Sequence, residues 1–105
     1  MINEKSTKGE VLDAVQLEGY VLKYASKELR GDREVVLEAV KRNGWALCWA
    51  SAALKADRAI VLAAVTQNGC VVRFVHESLK NDREVVRAAL KNNGDALLYE
   101  VSQQK

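Results

Sequence analysis

The sequence predicts an all-α fold, a right-handed helical-repeat solenoid of about four 25-residue helix pairs. Three observations carry that expectation. Gly19, Gly44, Gly69 and Gly94 recur every 25 residues, and Asp32, Asp57 and Asp82 keep the same spacing. Self-similarity at a fixed period of this length is the mark of a repeat architecture. The chain also has no proline, which points to helices closed by glycine.

The units are 7–31, 32–56, 57–81 and 82–105, and together they form a single domain. Three copies read DREVVLEAVKRNGWALCWA, DRAIVLAAVTQNGCVVRFV and DREVVRAALKNNGDALLYE, and the first and third agree at 11 of 19 positions. A degenerate first copy, TKGEVLDAVQLEGYVLKYA, starts at Thr7.

Each unit opens with a helix. In the second unit Asp32 stands as an N-cap, able to accept from the orphan amides of the first turn. Val35, Val36, Ala39 and Val40 then form one apolar stripe of a 3.6-residue helix. Asn43-Gly44 reads as supplying the left-handed residue that ends it. A β-hairpin turn is the rival reading of Asn-Gly, but the preceding Val-Val-Leu-Glu-Ala-Val does not alternate as a hairpin strand must. A second helix is expected from about Trp45 to Leu54, with Ala46, Leu47, Ala50 and Leu54 on its apolar side. The segment CVVRFVH, from Cys70 to His76, would pass for a strand by itself. Its equivalents WALCWAS and DALLYEV would not, and units of one array should share one fold.

A helix pair of this size cannot cover its own apolar face, so neighbouring units must stack. The end units should be more polar outside. Unit four has Arg87 where Leu37 and Leu62 stand, and Asp95 where Trp45 and Cys70 stand; unit one carries Asp13 and Glu18.

The pattern Leu-x-x-Asp-Arg-x-x-Val-x-x-Ala-Val-x-x-Asn-Gly-x-x-Leu runs over Leu29–Leu47, Leu54–Val72 and Leu79–Leu97. It resembles the bacterial and protist repeat family known as domain of unknown function 4116, over residues from about 11 to 101. Unit one departs from the pattern at Thr7, Gly9 and Glu18. The resemblance implies a helical repeat and no established activity. A weaker likeness is to leucine-rich variant repeats, whose second element is partly 3₁₀; the lack of proline argues against them.

Composition narrows the function. With 49% hydrophobic residues and a net charge of +2, the chain is not a disordered one. Two cysteines do not make a disulfide scaffold, and no apolar run approaches the twenty residues of a membrane span. No secretory signal is visible in MINEKSTKGE, and two unpaired cysteines suit a reducing compartment, so a cytoplasmic or otherwise intracellular location is expected.

Catalytic and metal chemistry find little support. His76, Cys48 and Cys70 are three soft ligands without C-x-x-C or H-x-x-x-H spacing, short of the four a structural zinc site takes. Cys48 and His76 lie on successive second elements, about one turn out of step, so a Cys–His nucleophile is not expected. There is no phosphate-cradling glycine loop. No enzyme activity, cofactor, metal or small-molecule substrate is therefore expected.

Two recurring features point to binding. Tyr24, Trp49, Phe74 and Tyr99 place an aromatic at every 25th position. The ordinary reading is a core ladder between units; the alternative is an exposed stripe that grips a peptide or stacks bases. Arg33, Arg58 and Arg83, with Lys8 first, follow each cap position, where a cation opposes the helix dipole. Either each pairs with the next unit's cap aspartate or with Glu34 or Glu84, or the row meets an anionic partner. Charge summed by unit is flat, between 0 and +1, which is not the footprint of a nucleic-acid binder. The expected function is a protein-interaction module for an unidentified protein partner. Its candidate surface is Arg33, Arg58 and Arg83 of the arginine row with Tyr20, Trp45 and Arg73, the last three from variable positions that also include Lys23, Cys48, Cys70, Asp95 and Leu98. Polyanion or RNA binding through the arginine row is the alternative, and a structural spacer the third reading.

Overall fold

A computed structural model describes residues 2–92; Gly94, Asp95, Leu98 and Tyr99 lie outside the described residues. The fold is all-α, and no strand occurs among the described residues. Four ten-residue α-helices begin the four units: α1 (Lys8–Leu17), α2 (Arg33–Arg42), α3 (Arg58–Gln67) and α5 (Arg83–Asn92). Each of the first three is followed by a six-residue 3₁₀ helix: η1 (Gly19–Tyr24), η3 (Gly44–Trp49) and η5 (Gly69–Phe74). Shorter turns lead to the next unit: η2 (Leu29–Gly31), η4 (Leu54–Ala56) and the single α-turn α4 (Glu77–Lys80).

Helix starts follow the sequence closely. Thr7 and Glu10 form a reciprocal capping box on α1. Asp32 accepts from the Val35 amide, Asp57 from those of Ala59 and Ile60, and Asp82 from those of Glu84 and Val85. Four residues then face inward in both α2 and α3. Val35, Val36, Ala39 and Val40 are fully buried, as are Ile60, Val61, Ala64 and Val65.

The α-helices pack on one another in chain order, α1 on α2, α2 on α3 and α3 on α5. The 3₁₀ helices form a second layer, η1 on η3 and η3 on η5. The core fills the space between the layers: Val21, Leu22, Ala46, Leu47, Val71 and Val72 come from the 3₁₀ side.

The expected continuous second helix from Trp45 to Leu54 does not form. The 3₁₀ segment closes at Ala50, whose backbone is extended (φ −73°, ψ 158°), and Val75 repeats this in the next unit (φ −72°, ψ 142°). The reason is a backbone bond between units: Ser51 N donates to Arg30 O, and His76 N to Lys55 O, both at 3.0 Å. An amide that serves the preceding unit is not available to a helical carbonyl four residues back. Cys70–His76 is thus no strand, though its end is locally extended.

The glycine expectation is also corrected. No described glycine has a positive φ. Asn43 and Asn68 are extended residues that cap the following 3₁₀ helix, accepting from the amides of Trp45 and Cys70. Glycine is needed for another reason. A Cβ on Gly19 would lie 2.3 Å from the Ala39 carbonyl oxygen, one on Gly44 2.6 Å from that of Ala64, and one on Gly69 2.3 Å from that of Ala89. Each glycine is the point where one unit's backbone meets the next unit's helix.

Candidate interaction surfaces

The residue after each cap does not stay at its own helix end. Lys8 Nζ reaches forward to Asp32 Oδ2 (3.1 Å) and Glu34 Oε1 (3.0 Å). Arg33 Nε donates to Asp57 Oδ2 at 2.8 Å. Arg58 makes a two-point contact with Asp82, Nε to Oδ2 at 2.9 Å and Nη2 to Oδ1 at 3.2 Å, and also holds Glu84. The cation placed against its own helix dipole is therefore held by the carboxylates at the next helix's N-terminus.

Each cap aspartate consequently serves two units. The Arg33 guanidinium, helped by the Ile60 and Ala59 amides, holds the Asp57 carboxyl below the usual carboxylate range despite burial. Arg58 and the Val85 amide do the same for Asp82. At Asp32 burial acts most strongly in the opposite sense, but the Val35 amide and Lys8 outweigh it. The pairs are solvent-facing, so water screens them and each contributes little to stability. Arg83 occupies the same register, is exposed, and has no carboxylate partner among the described residues.

Helix ends are joined in a similar way. Arg42 Nε donates to Leu17 O, and Gln67 Nε2 to Arg42 O, so one unit's side chain satisfies a carbonyl at the previous helix's C-terminus. Gln67 Oε1 also accepts from the Gly44 amide at 2.7 Å.

The second surface is built by 3₁₀ geometry. With three residues per turn, side chains at i and i+3 eclipse. Tyr20 and Lys23 on η1, Trp45 and Cys48 on η3, and Cys70 and Arg73 on η5 thus share one outer row. Tyr20 is 40% and Trp45 37% exposed, and Lys23 and Arg73 are exposed. Of the 25-residue aromatics, Tyr24, Trp49 and Phe74 stand beside this row and are not part of the fully buried core. Trp49 and Phe74 are half-buried against the core, while Tyr24 is 38% exposed.

Rings and cations meet across units. Trp45 packs edge-on against Phe74 with centroids 5.5 Å apart. Lys23 Nζ lies 5.0 Å from the Tyr24 ring centroid and 5.8 Å from that of Trp49. The Glu18 carboxylate near Tyr20 raises its hydroxyl above the ordinary value. The result is a run of aromatic faces with Lys23 among them.

The soft ligands do not converge. Cys48 and Cys70 are half-buried thiols, and burial pushes the Cys48 thiol up, away from reactivity. His76 is the N-cap of α4: its Nδ1 accepts from the Ser78 amide at 3.1 Å. Among the described residues no group of three or more His, Cys, Asp or Glu is placed to hold a metal. No described helix is long and apolar enough to cross a membrane.

Of the six candidate surface residues, Tyr20, Trp45 and Arg73 therefore share the 3₁₀ face, while Arg33 and Arg58 are engaged between units and Arg83 ends their row. Sequence reasoning missed the bridging of Arg42 and Gln67. Their common register, two residues before each glycine, was the available signal.

With this geometry in view, the class is that of an α-helical repeat whose units are tied through caps, helix ends and glycine contacts. The family model described as Domain of unknown function (DUF4116) matches residues 10–55 and 57–99, and the chain belongs to that family. Neither a curated protein nor a solved structure matches the chain.

Proposed function

We propose that this protein is a non-enzymatic protein-interaction module, an intracellular right-handed solenoid of four stacked units that binds a partner protein through its 3₁₀ face. One observation carries the reading: Tyr20, Tyr24 and Trp45 are large rings left more than a third exposed, next to Trp49, Phe74 and the cations Lys23 and Arg73. Aromatic side chains with an apolar body and a polar tip are what interface centres are enriched in. Arg33 and Arg58 are engaged by acids, which argues against polyanion binding through the arginine row.

The test is affinity capture from source-cell lysate with the wild type and a Tyr20→Ala/Trp45→Ala variant. Circular dichroism and melting should first show that the variant is folded. A protein retained by the wild type and lost by the variant supports the reading. If both capture the same proteins, or the wild type instead binds immobilised polyanion with steep salt dependence, the aromatic face is not the binding surface.

A further inference from the structure

Summed by unit the charge is flat, but the structure sorts it by layer. In the four long α-helices and their caps, acids and cations nearly balance, and Lys8, Arg33 and Arg58 are taken up by carboxylates of the next unit. The 3₁₀ helices and the turns after them (19–31, 44–56 and 69–81) carry Lys23, Lys27, Arg30, Lys55, Arg73 and Lys80 against Glu28 and Glu77. Arg30, Lys55 and Lys80 recur every 25 residues, a second cationic register. Lys55 stands close enough to Cys48, in the outer row, for its charge to act on the thiol. Lys23, Lys27 and Arg73 are exposed, and Arg30 and Lys55 are half-buried. None of these five forms an ion pair among the described residues.

We propose that the partner segment taken by the 3₁₀ face is an acidic peptide, its carboxylates meeting these cations while its apolar side chains cover the rings. This rests on the reading of that face as the binding surface and adds the chemistry it selects. Unpaired cations beside the exposed Tyr20, Tyr24 and Trp45 make a surface complementary to carboxylates interspersed with apolar groups. Nucleic acid fits less well. Bases stack on open ring faces, but Lys23 Nζ already lies over the Tyr24 and Trp49 rings, and Trp45 meets Phe74 edge-on. A carboxylate needs no ring face, because it is drawn to the cation itself. Two copies of the chain placed face to face would oppose cation to cation.

Trp45 and Trp49 are the chain's two tryptophans and both belong to this face, so intrinsic fluorescence reports its occupation. The probe is a twelve-residue peptide of Glu-Glu-Leu repeats titrated into the full chain, with Gln-Gln-Leu repeats as the uncharged counterpart. The acidic peptide should change the emission saturably and bind at least tenfold more tightly than the counterpart, an advantage that shrinks as salt is raised. Lys23→Gln/Lys55→Gln/Arg73→Gln should remove most of that advantage. Arg83→Gln/Arg87→Gln/Lys91→Gln, an equal loss of charge on α5, should leave it unchanged. Circular dichroism checks that both are folded, and Arg73→Gln alone, at an exposed site, should give a smaller loss in the same direction. If both peptides bind equally and Tyr20→Ala/Trp45→Ala weakens both, the rings bind without selecting acids: this inference falls and the reading of the aromatic face stands. If Tyr20→Ala/Trp45→Ala leaves acidic-peptide binding intact, both fall. The inference is also wrong if the acidic peptide does not bind at millimolar concentration, if the α5 variant loses as much as the 3₁₀ variant, or if single-stranded oligouridylate binds more tightly than the peptide.

Discussion

Gly44 and Ala64 meet backbone to backbone: a Cβ on Gly44 would stand 2.6 Å from the Ala64 carbonyl oxygen. That contact belongs to the rigid part of a helix, so no flexible side chain can move aside. Gly44→Ala should therefore destabilise by about 1–3 kcal/mol or more. Gly9→Ala is the control. Gly9 lies in α1 with open space around it, and there alanine should stabilise by roughly 0.5–1 kcal/mol. Urea melts of the two variants check the opposite signs; equal effects would mean that helix propensity, not approach between units, explains the glycine.

Asp57 caps α3 and receives Arg33. Asp57→Asn keeps a capping side chain and loses the charge, so it should cost about 0.2–1 kcal/mol, and less in high salt. Asp57→Ala loses both and should cost roughly 1–2 kcal/mol more than that, largely independent of salt. Thermal melts at low and high ionic strength separate the two contributions.

Acid should weaken the array through the same aspartates. Asp32, Asp57 and Asp82 all have carboxyls depressed by amides and by a cation from the preceding unit. A group whose folded pKa lies below its unfolded one stabilises fully above the unfolded value and loses that contribution as pH falls through the folded one. Stability contributed by the caps should thus hold above about pH 4 and decline below it. Urea midpoints measured from pH 6 to pH 2 test this, and Asp57→Asn should flatten the slope.

Leu47 is fully buried between the layers, whereas Trp49 is only half-buried at their edge. Leu47→Ala should cost about 2–5 kcal/mol through lost burial plus cavity. Trp49→Ala should cost less despite its larger ring, because part of that ring already faces water and the space left can fill with solvent. Denaturant melts of the two variants decide the order.

The sequence by itself determined the 25-residue period, the all-α class, the capped α-helices and their inward stripes. These are local matters: an aspartate before a run such as Val35, Val36, Ala39 and Val40 is satisfied by its own first turn and by one apolar side. It also held the correct alternative for the arginine row, since pairing to the next cap needed only the repeat length. Tertiary structure decided the rest. Whether Trp45–Leu54 continues as a helix depends on Ser51 bonding to Arg30 of the preceding unit, and no local propensity encodes a bond across 21 residues. Gly44 resembles a left-handed helix stop in sequence, yet its negative φ and its distance from Ala64 make it a packing contact. The ladder residues Tyr24, Trp49 and Phe74 stand at the edge of the core for the same reason: it is Ala46 and Leu47, with their counterparts in η1 and η5, that the 3₁₀ helices bury.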